Sequence, residues 1–415
     1  MKKKIQLIIL SLLLTGCVSQ VTDNVITTAN DDSNKAFTTK TVAKVKHKRH
    51  SLPDGVISVD IVESNKIIHL LLGKHLQGKK SLWYQQSIDA GVSWSDAVKV
   101  IDQDHLEANF NRGSDAQLAV QGNNIVAIWA SRVEGAGRHN SGPMSAARSA
   151  DNGKSWQVST IPSDLDIAHN FFDMDGNADV ISAVWLDRRA DSATDKKAKK
   201  GLRHAQSTDG GISWSKDITL DDNTCACCWN TAKYSDQDEL FVLYRDQDPS
   251  DMSIGVLNQQ QHWTNLNHVG DFKWDFKGCP HIGGGIAFQD KSQLIHTMVG
   301  TGHPEHLGVF YHRSEDNGKN WSQPVQLGDE SALHSDIASD NNRVIAVWDM
   351  RTEDGLSIFY AESNNKGITW SEAKRISALG YRATHPKIIA SDNAFLLAWT
   401  QSKNGKEQGL KLHQL

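Results

Sequence analysis

The sequence predicts an all-β protein built from repeated four-stranded units, on three observations. The pattern Ser-x-Asp-x-Gly-x-x-Trp occurs at 87–94, 149–156, 207–214 and 314–321, and a fifth copy at 363–370 carries Asn365 in the Asp place. A second unit recurs between these copies: a short strand, a turn, and an apolar strand usually ending in Trp. Helical periodicity is nearly absent, and short β-branched and aromatic runs are separated by Gly, Asn and Asp. Self-similarity at a fixed period decides the architecture before any single residue does.

The octapeptide is turn chemistry. Asp or Asn accepts backbone N–H bonds inside a tight turn, Gly supplies positive φ, and the Trp packs back over the hairpin. These residues are structural rather than catalytic. On this pattern the chain from about Val56 onward resembles the Asp-box (BNR-repeat) β-propellers, the group that includes the sialidases. The resemblance is specific for fold and less so for function.

Copies of the strand–turn–strand unit fall at 115–129, 171–185, 232–244, 282–299, 335–348 and 387–399, and 56–73 is a first copy without the Trp. Each repeat is about fifty residues, which fits a four-stranded blade. The count is seven blades, with six, the sialidase number, as the alternative. No box lies between Trp214 and Trp321, so the segment around Met252 to Trp263 reads as a degenerate blade. The last repeat ends early, and residues 39–45 are placed to supply its missing strand and close the ring.

Residues 1–17 read as a targeting segment. Lys2, Lys3 and Lys4 precede an apolar run from Ile5 to Leu14 that is too short to span a bilayer. Leu14-Thr15-Gly16-Cys17 resembles the bacterial lipobox, which implies lipidation of Cys17 and anchoring to the outer or cytoplasmic membrane, the outer favoured by Val18. Residues 18–50 are a polar tether, and 51–415 the propeller. A net charge of -5 and a pI near 6.4 give no reason to expect nucleic acid.

In an up-and-down blade the turns alternate between faces. The boxes therefore share one face, and the blade entries and second-to-third-strand loops share the other, where chemistry is to be sought. Arg132, Arg188 and Arg351 each stand three residues after a strand-ending Trp, and Arg245 follows Tyr244. Together with Arg112 they are candidates for binding a carboxylate or phosphate. The alternative is that each pairs with a local acid such as Asp187, Asp246 or Asp349. Among the blade entries, His169, His334 and His385 precede first strands, Cys225-Ala226-Cys227-Cys228 enters the fourth blade, and Cys279-Pro280-His281 the fifth. The four cysteines after Cys17 are readable as disulfide staples, with Cys279 bridged to the triplet. Disulfides are the default in an oxidising compartment, and the sharper alternative is a copper or zinc site with the histidines.

The resemblance to sialidases implies an arginine cluster, a Tyr nucleophile polarised by Glu, and an Asp acid/base. Tyr381 and Asp115 are the candidates for the last two. The Arg-Ile-Pro motif of that family is absent, and no Glu partner stands out. Three functions therefore remain open: binding and hydrolysis of an anionic glycan, non-catalytic binding of a ligand or protein, and metal binding through Cys and His.

Overall fold

The computed structural model describes residues 54–103, 105–136, 140–189, 200–289, 293–392, 394–405 and 407–415. The targeting segment, Cys17, the tether and the closing strand expected at 39–45 lie outside the described residues. Residues 51–415 form one compact unit.

The unit is a succession of antiparallel meanders. The first runs β1 (Asp54–Ser64), β2 (Ile67–Leu76), β3 (Lys79–Ser87) and β4 (Val98–Lys99). The second holds β5 (Gln117–Gln121), β6 (Asn124–Arg132), β7 (Ser141–Ser149) and β8 (Gln157–Val158), and the third β9 (His169–Gly176), β10 (Ile181–Arg188), β11 (Lys200–Ser207) and β12 (Ile218–Asp221). Next come β13 (Thr231–Tyr234), β14 (Leu240–Arg245), β15 (Met252–Leu257) and β16 (Trp263–His268), then β17 (Gly284–Phe288), β18 (Ile295–His303), β19 (His306–Ser314) and β20 (Val325–Gln326). β21 (Ser335–Asp340), β22 (Arg343–Thr352), β23 (Gly355–Ser363) and β24 (Lys374–Arg375) follow, and the chain ends in β25 (Arg382–Ser391), β26 (Ala394–Ser402) and β27 (Glu407–Gln414). Five sheets have four strands. The three C-terminal strands join the first meander in a seven-stranded sheet through a short parallel pairing of Asp54 with Glu407 and Gly55 with Gln408.

The first strands β1, β5, β9, β13, β17, β21 and β25 neighbour one another in that order, and β25 returns to β1. Apolar clusters fill the space between successive meanders. One joins Leu71 and Tyr84 to Leu118 and Trp129, and another joins Val59 and Leu70 to Leu396 and Ala398 across the closure. The fold is a β-propeller. Its axis is stitched by first-strand side chains that accept from the next first strand. Asp60 takes the Leu118 N–H at 2.8 Å, Asp173 that of Ala232 at 2.7 Å, and Asp336 that of Ile388 at 3.0 Å.

The five octapeptides are the turns between third and fourth strands, as the topology requires. In the first, the Ser87 hydroxyl donates to Asp89 Oδ1 at 2.7 Å, and Asp89 accepts from the Ser93 N–H at 2.8 Å and from its hydroxyl. Asn365 makes the same turn, accepting the Thr369 N–H at 2.9 Å while its amide donates to the Thr369 hydroxyl at 2.8 Å. The box-less meander closes with Asn258, whose side-chain oxygen accepts from the Gln260 and His262 N–H groups.

Each box also packs on the preceding meander. Gly153 lies against Tyr84 and Gly367 against Tyr311. A Cβ at Gly367 would stand 1.7 Å from the Tyr311 hydroxyl, on a residue with φ of 77°. Gly367→Ala therefore combines a buried clash with left-handed strain, and is expected to destabilise the domain by about 2–3 kcal/mol. A lowered midpoint in thermal unfolding checks this, and an unchanged midpoint contradicts it.

Candidate functional site

The blade entries meet at one mouth of the axis, around a cavity of about 60 Å³. Arg112, Asp115, Phe171, Trp229, His334 and His385 line it, with Lys387 and Asp336 from the axial strands. Six segments far apart in sequence are brought together because every first strand begins at the axis. Phe171, His281 and His385 all adopt left-handed backbone, with φ of 53°, 54° and 52°. Strain of this kind on bulky residues gathers at functional sites.

Asp349 is the anchor of the cavity wall. It is fully buried and accepts four hydrogen bonds. The donors are the His334 ring at 2.6 Å, the His334 N–H at 3.3 Å, the His385 N–H at 2.9 Å and the Thr384 hydroxyl at 2.5 Å. Burial alone would raise this carboxyl, but the charge and hydrogen bond of His334, then Thr384 and the His385 amide, outweigh it and hold Asp349 below the ordinary carboxylate value. His334 Nδ1 must carry its proton, since a carboxylate only accepts. The Thr384 hydroxyl proton points to Asp349, so its oxygen accepts from His385 Nδ1 at 2.9 Å. In the neutral His385 ring the proton therefore sits on Nδ1. The rings stack at 3.7 Å and 16°, with Trp229 packed on both at 5.5 and 6.1 Å. Burial first, then the charges of His334 and Arg112, pushes His385 well below the usual histidine value, so it is neutral.

The floor is acidic and carries one ammonium. Burial raises Asp60 and Asp336, and lifts Asp173 to about 7. Burial works against the Lys387 charge, but Asp60, Asp173, Asp336 and Asp115 together raise it above the ordinary lysine value.

Beside the cavity stand the cysteines. Cys225, Cys227 and Cys228 are buried, with Cys225 Sγ 3.2 Å from Cys228 and 3.8 Å from Cys227. Phe171, a cavity wall, packs against them. The exposed Cys279 interacts with Cys227. All four are thiols, and none is paired as a disulfide. The three buried thiols divide their protons unequally. Burial would raise Cys228, but hydrogen bonds from Cys225 and Cys227 and the charge of Arg245 bring it well below the usual thiol value, while Cys227 is raised by its three thiol neighbours. Arg245 and Lys200 supply the positive surroundings that thiolates need.

The other residues singled out from the sequence are placed differently. Of the five arginines only Arg112 reaches the cavity, and its two terminal nitrogens are occupied by Asp115 (2.6 Å), the Val59 carbonyl (3.1 Å) and the His385 carbonyl. Arg245 is buried, donating to the Ser250 carbonyl of its own meander and to the Ile282 and Gly300 carbonyls of the next. Arg132 pairs with Glu134 at the surface, and Arg188 and Arg351 are exposed. The acids suggested as their partners take others: Asp187 holds Arg189 and Arg203, Asp246 meets His268, and Asp349 holds His334. Alternation along β10 puts Asp187 on the face of Trp185 and sends Arg188 to the opposite one. Tyr381 is outside the cavity wall, under the Lys403 ammonium at 5.8 Å. His169 is buried and accepts from the Met144 N–H at 3.0 Å, and His281 is exposed, its ring 6.5 Å from that of Phe171. Trp229, Thr384, Asp349 and Lys387 belong to the site without having been picked out as functional from the sequence.

The fold and the mouth define a β-propeller with a polar axial cavity and a flanking thiol cluster. No protein-family model and no curated protein matches the chain. Solved structures do. A protein of unknown function from Dyadobacter fermentans DSM 18053 aligns at TM-score 0.50 and 13% identity, over 88% of this chain and 95% of that one. The K499G mutant of the NanB sialidase from Streptococcus pneumoniae aligns at TM-score 0.48 and 11% identity, covering 87% and 68% of the two chains. The intramolecular trans-sialidase from Ruminococcus gnavus, in complex with oseltamivir carboxylate, aligns at 0.47 and 11%, covering 87% and 94%. At such identities the likeness is one of fold, and no residue role passes from these proteins to this chain.

Proposed function

We propose that the protein is a seven-bladed propeller, tethered to the cell envelope through lipidated Cys17, that binds a soft metal ion at its axial mouth. The thiol cluster carries this reading. A metal–sulfur bond of about 2.3 Å sets sulfurs around one ion roughly 3.8 Å apart, close to the spacing of Cys225 and Cys227. The alternative for buried cysteines is plain apolar packing, but three thiols in mutual contact beside two cationic side chains are a poor apolar filler. The seven first strands in a closed cycle support the blade count. His334, Asp349 and His385 are a second group close enough to share an ion, but the Asp349 oxygens are already taken up by four donors, so this pair suits a hydrogen-bonded ligand better.

Hydrolysis of an anionic glycan, which the Asp-box resemblance implies, has less support. The two terminal nitrogens of Arg112 are occupied, the other four candidate arginines are elsewhere, and Tyr381 is outside the cavity wall that Asp115 lines. The deciding experiment is elemental analysis of protein purified under reductant without chelator. About one copper or zinc per chain is expected, lost in Cys228→Ser. A metal-free protein that cleaves a fluorogenic sialoside would replace this reading with the glycan one.

A further inference from the structure

The thiol cluster differs from a closed structural zinc site in two ways. Its ligands number three, all from the 225–228 turn, and among the described residues the group of metal-capable atoms there consists of Cys225, Cys227 and Cys228, with no carboxylate or imidazole to complete a tetrahedron. Zinc in structural sites takes four ligands, whereas soft thiolates at low coordination number favour monovalent copper. Formal charge points the same way. Arg245 is buried, touching the Ile282 carbonyl next to Cys228, and Lys200 faces Cys225 and Cys227. With Arg245 and Lys200 already beside the sulfurs, a monovalent ion adds less positive charge to this buried spot than a divalent one.

The fourth thiol is placed for another task. Cys279 arrives on the separate segment between β16 and β17, is exposed, and meets the trio at Cys227. Among the described residues it is the thiol that both reaches the cluster and faces solvent.

We propose that Cys225, Cys227 and Cys228 hold one monovalent copper ion and that Cys279 is the exchange ligand through which the ion enters and leaves. This rests on the thiol-site reading given above. Entry is a series of ligand substitutions. Copper on a donor thiolate bonds to Cys279 sulfur as the donor sulfur leaves, and the thiol proton passes to that leaving sulfur. The copper–Cys279 bond then breaks as the bond to Cys227 forms and the Cys227 proton passes to the Cys279 sulfur; Cys225 and Cys228 complete the site, any thiol proton they carry being released to water. Copper stays monovalent throughout, so no oxidant or reductant is consumed.

The test loads the full-length protein, in detergent and without oxygen, from glutathione-buffered monovalent copper, with zinc as competitor. Removal of copper by excess bicinchoninate is then timed. One copper per chain with three sulfur neighbours by X-ray absorption is expected. Cys279→Ser, which changes an exposed side chain, should lengthen the half-time of removal by about tenfold or more, while Cys228→Ser retains no copper. Circular dichroism of both variants must match the wild type, so that loss of fold is not mistaken for loss of ligand. Zinc retained in preference to copper overturns the ion assignment and leaves the thiol site standing. Unchanged removal kinetics in Cys279→Ser, or loss of all copper from it, overturns the exchange role. Failure of the wild-type protein to bind either ion overturns the underlying site.

Discussion

Asp349→Ala is expected to destabilise the propeller by about 3–5 kcal/mol, because removing one partner of a buried charged network leaves the others unsatisfied. Four donors from two adjacent meanders converge on this fully buried carboxylate. With the carboxylate gone, the His334 Nδ1–H and the Thr384 hydroxyl proton lose their acceptor, and the stacked pair loses its anchor. Asp349→Asn keeps one acceptor oxygen but turns an N–H₂ toward donors, so it should lose less than alanine yet remain well below wild type. The pH dependence follows from the depressed folded-state value of this carboxyl. Its contribution is fully present above the unfolded carboxylate value and fades as pH falls through the folded one. The alanine defect should therefore be full at pH 7 and shrink in strong acid. Urea unfolding at both pH values measures this. A loss under about 1 kcal/mol at pH 7 would mean the network is a surface-like pair of little worth.

What the sequence discloses depends on how local the physics is. The box turns are legible because Ser, Asp and Gly bond within four residues of one another, and even the Asn365 copy keeps the turn. The meeting of Arg112, Asp115, His334 and His385 is legible by topology, since each sits at a blade entry and entries share a face. Asp349 is not. Its partners lie 15 and 35 residues away, and its nearness in sequence to Arg351 suggests a pairing that strand geometry does not make. The box-less turn hides for a related reason: Asn258 does the work of the Asp without the surrounding pattern. Lys387 and its four acids come from five separate segments of the chain and become a cluster only when the axis closes.

That axial cluster makes the second large prediction, in Asp173. Burial lifts its carboxyl to about 7, with Asp60 adding to the shift and Lys387 opposing it. The native state thus holds a proton that the unfolded chain has released at any pH between the ordinary carboxylate value and 7. Stability must fall as pH rises through that window, and by pH 8 the loss amounts to roughly 4 kcal/mol. Asp173→Asn removes the titration while its amide oxygen can still accept the Ala232 N–H that stitches β9 to β13. The variant should therefore gain on wild type as pH rises from 4 to 8, by up to the same amount, less whatever support Lys387 loses with one of its four carboxylates. Buried histidines act in the opposite sense. His69 is lowered by burial to about 4 and His204 to about 3, so each penalises the native state as pH falls below the unfolded histidine value. These histidines are common to both proteins and cancel in the difference. Subtracting the urea-derived stabilities of Asp173→Asn and wild type at each pH isolates the one carboxyl. A difference that stays flat from pH 4 to 8 would show that Asp173 is ionised in the native channel throughout, held by Lys387 more strongly than burial opposes it.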